Sequence, residues 1–210
     1  MDYKSQYGQD KWIVEEMFPD QTKGYFVDLA AGDGIFLSNT YFLEKNLKWK
    51  GLCIEPSSFF TQLKQNRNCD CSDSVVMQDG FEVEFTEYEK TTEFEHLLSA
   101  VSGTSKAPYP VKSITKHTSI SLDTLLNKYN APPTIEYISM DIEGSELYVL
   151  QDFLPKNKRT VLTWSIECNP YSEHESLILS WMEKYGYELV IKEGMNGRLG
   201  HDYLFKLKNL

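Results

Sequence analysis

Acidic residues close several apolar runs of this chain, and the first of them stands beside a glycine-rich bend. Residues 25–34 read Tyr-Phe-Val-Asp-Leu-Ala-Ala-Gly-Asp-Gly: an apolar run reaches Asp28, turns through Gly32 and Gly34, and opens into a helical pattern. A strand, a bend and a helix in that order place a ligand loop at the strand's carboxyl end. A dinucleotide fingerprint needs a third glycine three residues after the second, where this chain has Leu37, and the Gly-Lys-Ser/Thr of a phosphate loop is absent. Asp28 and Asp33 flank the bend, and fixed negative charge there repels a pyrophosphate. The same charge suits a ligand with an ammonium and a sulfonium, which is S-adenosylmethionine (SAM).

Other acids end further runs. Glu55 closes 51–55 and is placed to accept both ribose hydroxyls of an adenosine, the usual task of an acid some twenty residues past such a loop. Asp73, or Ser74 beside it, is placed to bond the adenine edge. Asp141 ends an Ile- and Met-rich run and leads into Glu143, Gly144 and Glu146. Acids at a helix start complement its dipole, which accounts for Glu146 and partly for Glu143, but not for Asp141 at the strand's end. Glu167 closes a fifth run, with Asn169 just beyond. Ligands of open α/β sheets bind outside the strands' carboxyl ends, so these acids converge on one rim.

The elements that must hold them follow from periodicity. Helical spacing covers 9–18, 36–46, a segment near 57–66, 121–129, 145–152 and 173–185. Strands are expected at 25–30, 51–56, 74–77, 81–86, 134–141, 160–167, 187–192 and 203–207. Residues 87–118 are polar and irregular, a long excursion of the kind that is functional or disordered. Alternating strands and helices give a Rossmann-like, doubly wound α/β fold: a mostly parallel seven-stranded sheet, helices on both faces, one antiparallel strand near the C-terminus.

The chain has 210 residues, suited to one domain over 1–210, which the size also allows to be part of a larger protein. The formal net charge is −10 and the isoelectric point about 4.9, with no dense Lys/Arg block. That excludes an electrostatic grip on nucleic acid or on an anionic membrane. No run is long enough to span a bilayer, and the amino terminus lacks a signal pattern. Cys53 and Cys168 lie in apolar runs, while Cys69 and Cys71 form a C-x-C with no second pair or histidine nearby. They read as ordinary thiols of a cytoplasmic protein.

With these residues in hand, the chain resembles the FkbM-type methyltransferases, a branch of the class I SAM-dependent enzymes. The resemblance is carried by Ser5-Gln-Tyr-Gly-Gln-Asp10, Phe26-Val-Asp-Leu-Ala-Ala-Gly-Asp-Gly34 with Leu37-Ser-Asn-Thr40, Trp49-Lys-Gly-Leu-Cys-Ile-Glu-Pro56, Ser121-Leu-Asp-Thr-Leu-Leu126, and Ile138-Ser-Met-Asp-Ile-Glu-Gly-Ser-Glu146. It covers nearly the whole chain, and the last motif is the most specific. The family usually has glycine where Ala30 stands, and alanine does not readily take positive φ. The resemblance implies O-methylation of a hydroxyl on a sugar, a glycan (for instance a deoxyhexose such as rhamnose), a polyketide or another natural product. It implies a cofactor site of Gln9, Asp28, Ala30, Gly32, Gly34, Asn39, Glu55, Asp73, Ser74 and Asp141.

An alcohol needs a base or a metal to attack a methyl group. The base candidates are Asp141, Glu143 and His201, the last beside Asp202 and a glycine-rich loop. The metal candidates are Asp141, Glu167 and Asn169, oxygen donors suited to Mg²⁺ or Mn²⁺; other O-methyltransferases of this fold hold a metal at equivalent strand ends. The partner is a small-molecule or glycan acceptor. A short-chain oxidoreductase would need a Tyr-x-x-x-Lys pair following a catalytic serine; Tyr41 and Lys45 have the spacing but sit in the helix after the glycine bend, where they cannot serve. A non-catalytic SAM-binding module is the remaining alternative.

Overall fold

The computed structural model describes residues 1–89, 99–104, 109–168, 173–191 and 202–210. Its main sheet has seven strands: β1 (Tyr25–Leu29), β2 (Lys50–Ile54), β3 (Asp70–Ser72), β7 (Thr134–Met140), β8 (Thr160–Glu167), β9 (Tyr187–Ile191) and β10 (Asp202–Leu207). Their order is β3-β2-β1-β7-β8-β10-β9. All pairs are parallel except those of β10, which runs antiparallel to β8 and β9. The expected doubly wound architecture with one reversed strand is therefore present.

Both faces of this sheet are covered. All five residues of β1 are buried, as a parallel strand between two helical layers requires. Val27, Leu52, Ile138 and Trp164 pack on one face with α4 (Leu122–Lys128), α5 (Glu146–Phe153) and α6 (Glu173–Lys184). Phe26, Cys53 and Tyr137 pack on the other with α1 (Gln9–Trp12), α2 (Tyr41–Lys45) and α3 (Phe60–Asn66). Neighbouring residues of a strand point to opposite faces, so Phe26 and Val27 serve different cores.

Two expectations for the main sheet and its helices need correction. The third strand is Asp70–Ser72, paired with Leu52–Ile54, and not 74–77. Val75 and Val76 are buried, but beyond the sheet edge, where Val76 forms only a lone bridge to Ile120. An edge strand is held by its ladder and tolerates a polar sequence, so hydrophobicity pointed to the wrong segment. The helix expected over 36–46 is α2 and starts at Tyr41 instead of Phe36: Leu37 has φ of 54°, and Ser38 Oγ accepts the Thr40 and Tyr41 N–H groups. A serine that bonds its own backbone competes with helix.

The excursion contains structure of its own. β4 (Glu82–Tyr88), β5 (Ala100–Val101) and β6 (Val111–Thr118) form a second, antiparallel sheet in the order β5-β4-β6. Residues of β6 are mostly exposed, so no buried face imprints an apolar alternation on its sequence, and the strand is held by its ladder to β4. No helix among the described residues is long and apolar enough to cross a membrane.

Candidate active site

A cavity of about 220 Å³ opens at the carboxyl ends of β1, β2 and β7. The strand order reverses between β1 and β7, and such a switch point is where open α/β sheets bind ligands. Of the expected cofactor residues, Gln9, Asp28, Ala30, Gly32, Asn39, Glu55, Ser74 and Asp141 line it. Gly34 and Asp73 do not. Gly34 has φ of 83°, and a Cβ there would lie 2.7 Å from Arg67 Cγ, so its hydrogen atom serves packing against α3. Asp73 follows β3 and borders a shallower groove with His117 and Thr118. Asp33 turns onto its own loop, accepting the Ile35 and Phe36 N–H groups at 2.8 Å.

Glu55 organises the glycine loop. Its Oε2 accepts the Gly32 N–H at 2.7 Å and its Oε1 the Ser57 N–H at 2.9 Å. Burial raises its carboxyl above the ordinary range, and those hydrogen bonds oppose the rise. Each oxygen has a further lone pair. Ala30, between β1 and Gly32, adopts φ of 65°. Two backbone bonds hold it there, Ala30 and Ala31 N–H both donating to Ile54 O.

Asp28 is buried and receives the Thr40 hydroxyl at 2.6 Å. Burial pushes its carboxyl up to about 6, against the pull of Thr40 and Arg67. Arg67 Nη2 in turn donates to Thr40 Oγ1 at 3.0 Å, Nη1 to Gly34 O at 3.2 Å, and Nε to Glu44 at 2.5 Å. One buried guanidinium thus ties α2, the end of α3 and the glycine loop to Asp28.

On the far side, five carboxyls crowd the rim: Asp141, Glu143, Glu146, Glu167 and Asp202. Oxygens of Asp141, Glu143 and Glu167 all lie within 4.8 Å of one another. Burial, then the neighbouring Asp141, raises Glu143 to about 8, Glu146 to about 7, and Glu167 well above the ordinary range; Glu167 also hydrogen-bonds Asp141. Burial likewise lifts Asp202, to which Gln9 Nε2 donates. Glu146 Oε1 accepts the Ile142 and Gly144 N–H groups, the helix-start role its position suggested. His201 and Asn169 lie outside the described residues.

The second sheet reaches this rim. Phe85 of β4 and Val101 of β5 line the cavity. Thr104 Oγ1 donates to Val101 O at 2.8 Å and to Glu143 O at 3.2 Å. Glu143 has φ of 56° and Gly144 φ of 98°, and a Cβ on Gly144 would meet Thr104 O at 2.6 Å. The Glu-Gly pair is therefore bent to fit under the second sheet.

Sequence reading missed Ser139, Ser145 and Asp202 among the lining residues. Asn39 Nδ2 bonds Ser139 Oγ at 2.8 Å. Ser139 alternates with Asp141 along its run, which was an available signal; Asp202 is joined to Gln9 across 193 residues, which no local pattern reveals. Trp12 and Trp164 are fully buried core.

A mostly parallel sheet with one reversed strand, an acid-flanked glycine loop and no phosphate signature is the arrangement of Rossmann-like methyltransferases. Residues 28–189 match the methyltransferase FkbM domain, and the chain belongs to that family. Among solved structures it is similar to the methyltransferase FkbM from Methylobacillus flagellatus KT (TM-score 0.54, 15% identity, 88% of this chain and 44% of that one). It is also similar to the N-terminal domain of human METTL16 (TM-score 0.52, 12% identity, 94% of this chain and 67% of that one). At these identities the likeness is one of fold. The chain spans 64% of a METTL16 MTase domain and 44% of the FkbM protein, less than two thirds of either. No curated protein sequence matches it significantly.

Proposed function

We propose that this chain is a SAM-dependent O-methyltransferase whose acceptor is a hydroxyl of a sugar or glycan. The observation that carries the reading is the cavity at the switch point, lined by the glycine loop, Glu55 and the Asp141–Glu143 rim. Bound there, SAM would supply an electrophilic methyl group on a sulfonium. The residues present fit it. Asn39 Oδ1 and Ser145 Oγ are buried and lack hydrogen-bond partners among the described residues. Such unmade bonds cost about 1–3 kcal/mol each, and the donor groups of a ligand would make them.

Glu55 holds the ribose hydroxyls through its second lone pairs, and the buried acids around Asp28 and Asp141 favour the ligand's positive end. Glu143 lines the cavity beside Asp141 and is the side chain we assign as general base for the acceptor hydroxyl. A base whose pKa lies near the working pH is the effective kind. The acidic rim disfavours anionic acceptors and suits a neutral polyol, and Phe85 and Val101 form the apolar wall it would meet.

One observation favours a second reading of the same rim. Three carboxylates converging within 4.8 Å are the all-oxygen donor set of Mg²⁺ or Mn²⁺. Asp141, Glu143 and Glu167 would hold such an ion, and it would polarise the acceptor hydroxyl. Label transfer from methyl-labelled SAM to a panel of neutral glycosides, with chelator or with added Mg²⁺ or Mn²⁺, tests both readings. Chelator-resistant transfer that Glu143→Gln abolishes supports the side-chain base, and chelator-sensitive transfer supports the cation. SAM binding without transfer to any hydroxylated acceptor would point instead to a non-catalytic module.

A further inference from the structure

Three of the four cysteines gather at the β2–β3 edge, and none of them lines the cavity. Cys53 and Cys71 are register partners on adjacent parallel strands, and Cys69 faces the same side two residues earlier. The sulfurs of Cys69 and Cys53 are 3.5 Å apart, whereas Cys71 Sγ is directed at the Cys69 carbonyl at 3.6 Å. Cys53 is fully buried and Cys69 is partly exposed. A disulfide sets its sulfurs about 2.0 Å apart, so closing this pair takes a movement of about 1.5 Å at one end of a segment that turns out of α3.

The surroundings divide the labour between the two thiols. Hydrogen bonding with Cys53 and with Cys71, together with the positive charge of Arg67, lowers Cys69 and favours its thiolate, the reactive form. Burial raises Cys53 and keeps its proton in place. Cys168, fully buried elsewhere in the core, has no such setting: burial raises its thiol.

We propose that Cys69 is a site of reversible thiol oxidation by a hydroperoxide, and that Cys53 resolves it as an intramolecular disulfide. The Cys69 thiolate attacks the peroxide oxygen: an S–O bond forms, the O–O bond breaks, and the departing alkoxide or hydroxide takes a proton. Cys69 sulfur is oxidised by two electrons to the sulfenic acid. Cys53 sulfur then attacks Cys69 sulfur; the S–S bond forms, the S–O bond breaks, and hydroxide leaves with the Cys53 proton as water. Two equivalents of a small thiol return both cysteines to the reduced state.

The reading is independent of the methyl-transfer proposal, because its readout is a mass. Reduced protein, freed of thiol, is treated with stoichiometric hydrogen peroxide, blocked with N-ethylmaleimide and digested with trypsin. Cleavage at Lys64 and Arg67 places Cys53 and Cys69 on separate peptides. The expected product joins those peptides, is lighter by two hydrogens, and falls apart with dithiothreitol, in wild type and in Cys71→Ser. Cys53→Ser should give a dimedone adduct on Cys69. Oxidation first at Cys71 or Cys168, a Cys69–Cys71 link, or no linked product in the wild type would overturn the proposal.

Discussion

Ala30 shows how a residue can meet a demand its type resists. A positive φ costs a non-glycine residue of this kind about 1–3 kcal/mol, and Ala30 accepts 65° because its N–H is tied to Ile54 O. Ala30→Gly should therefore stabilise the fold by about 1 kcal/mol after glycine's own entropic cost. Urea denaturation measures it, and a destabilised variant would show that the strain is not there. Gly144→Ala should do the opposite, losing about 1–3 kcal/mol because the Cβ meets Thr104 O at 2.6 Å and φ is 98°. Glu55→Ala removes a charged acceptor from Gly32 and from any ligand. A loss of about 1.5–3 kcal/mol, or roughly 10–150-fold in affinity for S-adenosylhomocysteine, is expected by titration calorimetry. Unchanged affinity would remove Glu55 from the cofactor site. Most of these residues were legible because each stands at a strand end or beside glycine. Asp202 was not, since only the folded chain brings it to the cavity.

At the scale of elements, Arg67 is the tie between α2, α3 and the glycine loop. Its side chain is 0% exposed and its partner Glu44 only 6%. Burial would raise Glu44, but the Arg67 hydrogen bond and charge hold it down at about 2. Removing one member of a buried pair leaves the other uncompensated. Arg67→Met should cost about 3–5 kcal/mol, and adding Glu44→Leu should recover a substantial part of it. A double-mutant cycle by chemical denaturation measures this, and additive losses would contradict the coupling. The strands of the main sheet were legible wherever both faces are buried, as in β1 and β7, because their apolar runs are continuous. Where the ladder alone holds a strand, as in β3 and β6, the sequence carries no hydrophobic trace of it, and there the reading failed.

The whole molecule carries an excess of negative charge and concentrates part of it at one rim. Burial holds Asp28 at about 6, and burial with neighbouring acids holds Glu146 at about 7 and Glu143 at about 8. Between the ordinary carboxylate range near 4 and these values, the folded form binds more protons than the unfolded. Stability should therefore fall as pH rises from about 4 to about 8 and level off above. Glu146, 4% exposed, weighs more in this than the partly exposed Glu143. Thermal denaturation across that range checks the slope, and stability that instead rises with pH would show the rim to be solvated or otherwise compensated. A ligand bringing positive charge to the rim should flatten the slope.

The central claim is that the cavity between β1, β2 and β7 takes SAM, and titration calorimetry tests it most directly. S-adenosylhomocysteine and SAM are titrated into the wild-type chain and into Asp141→Ala. The account predicts one site of micromolar affinity in the wild type, weakened about tenfold or more by the substitution. Absence of binding by the folded wild-type chain to both ligands would contradict it.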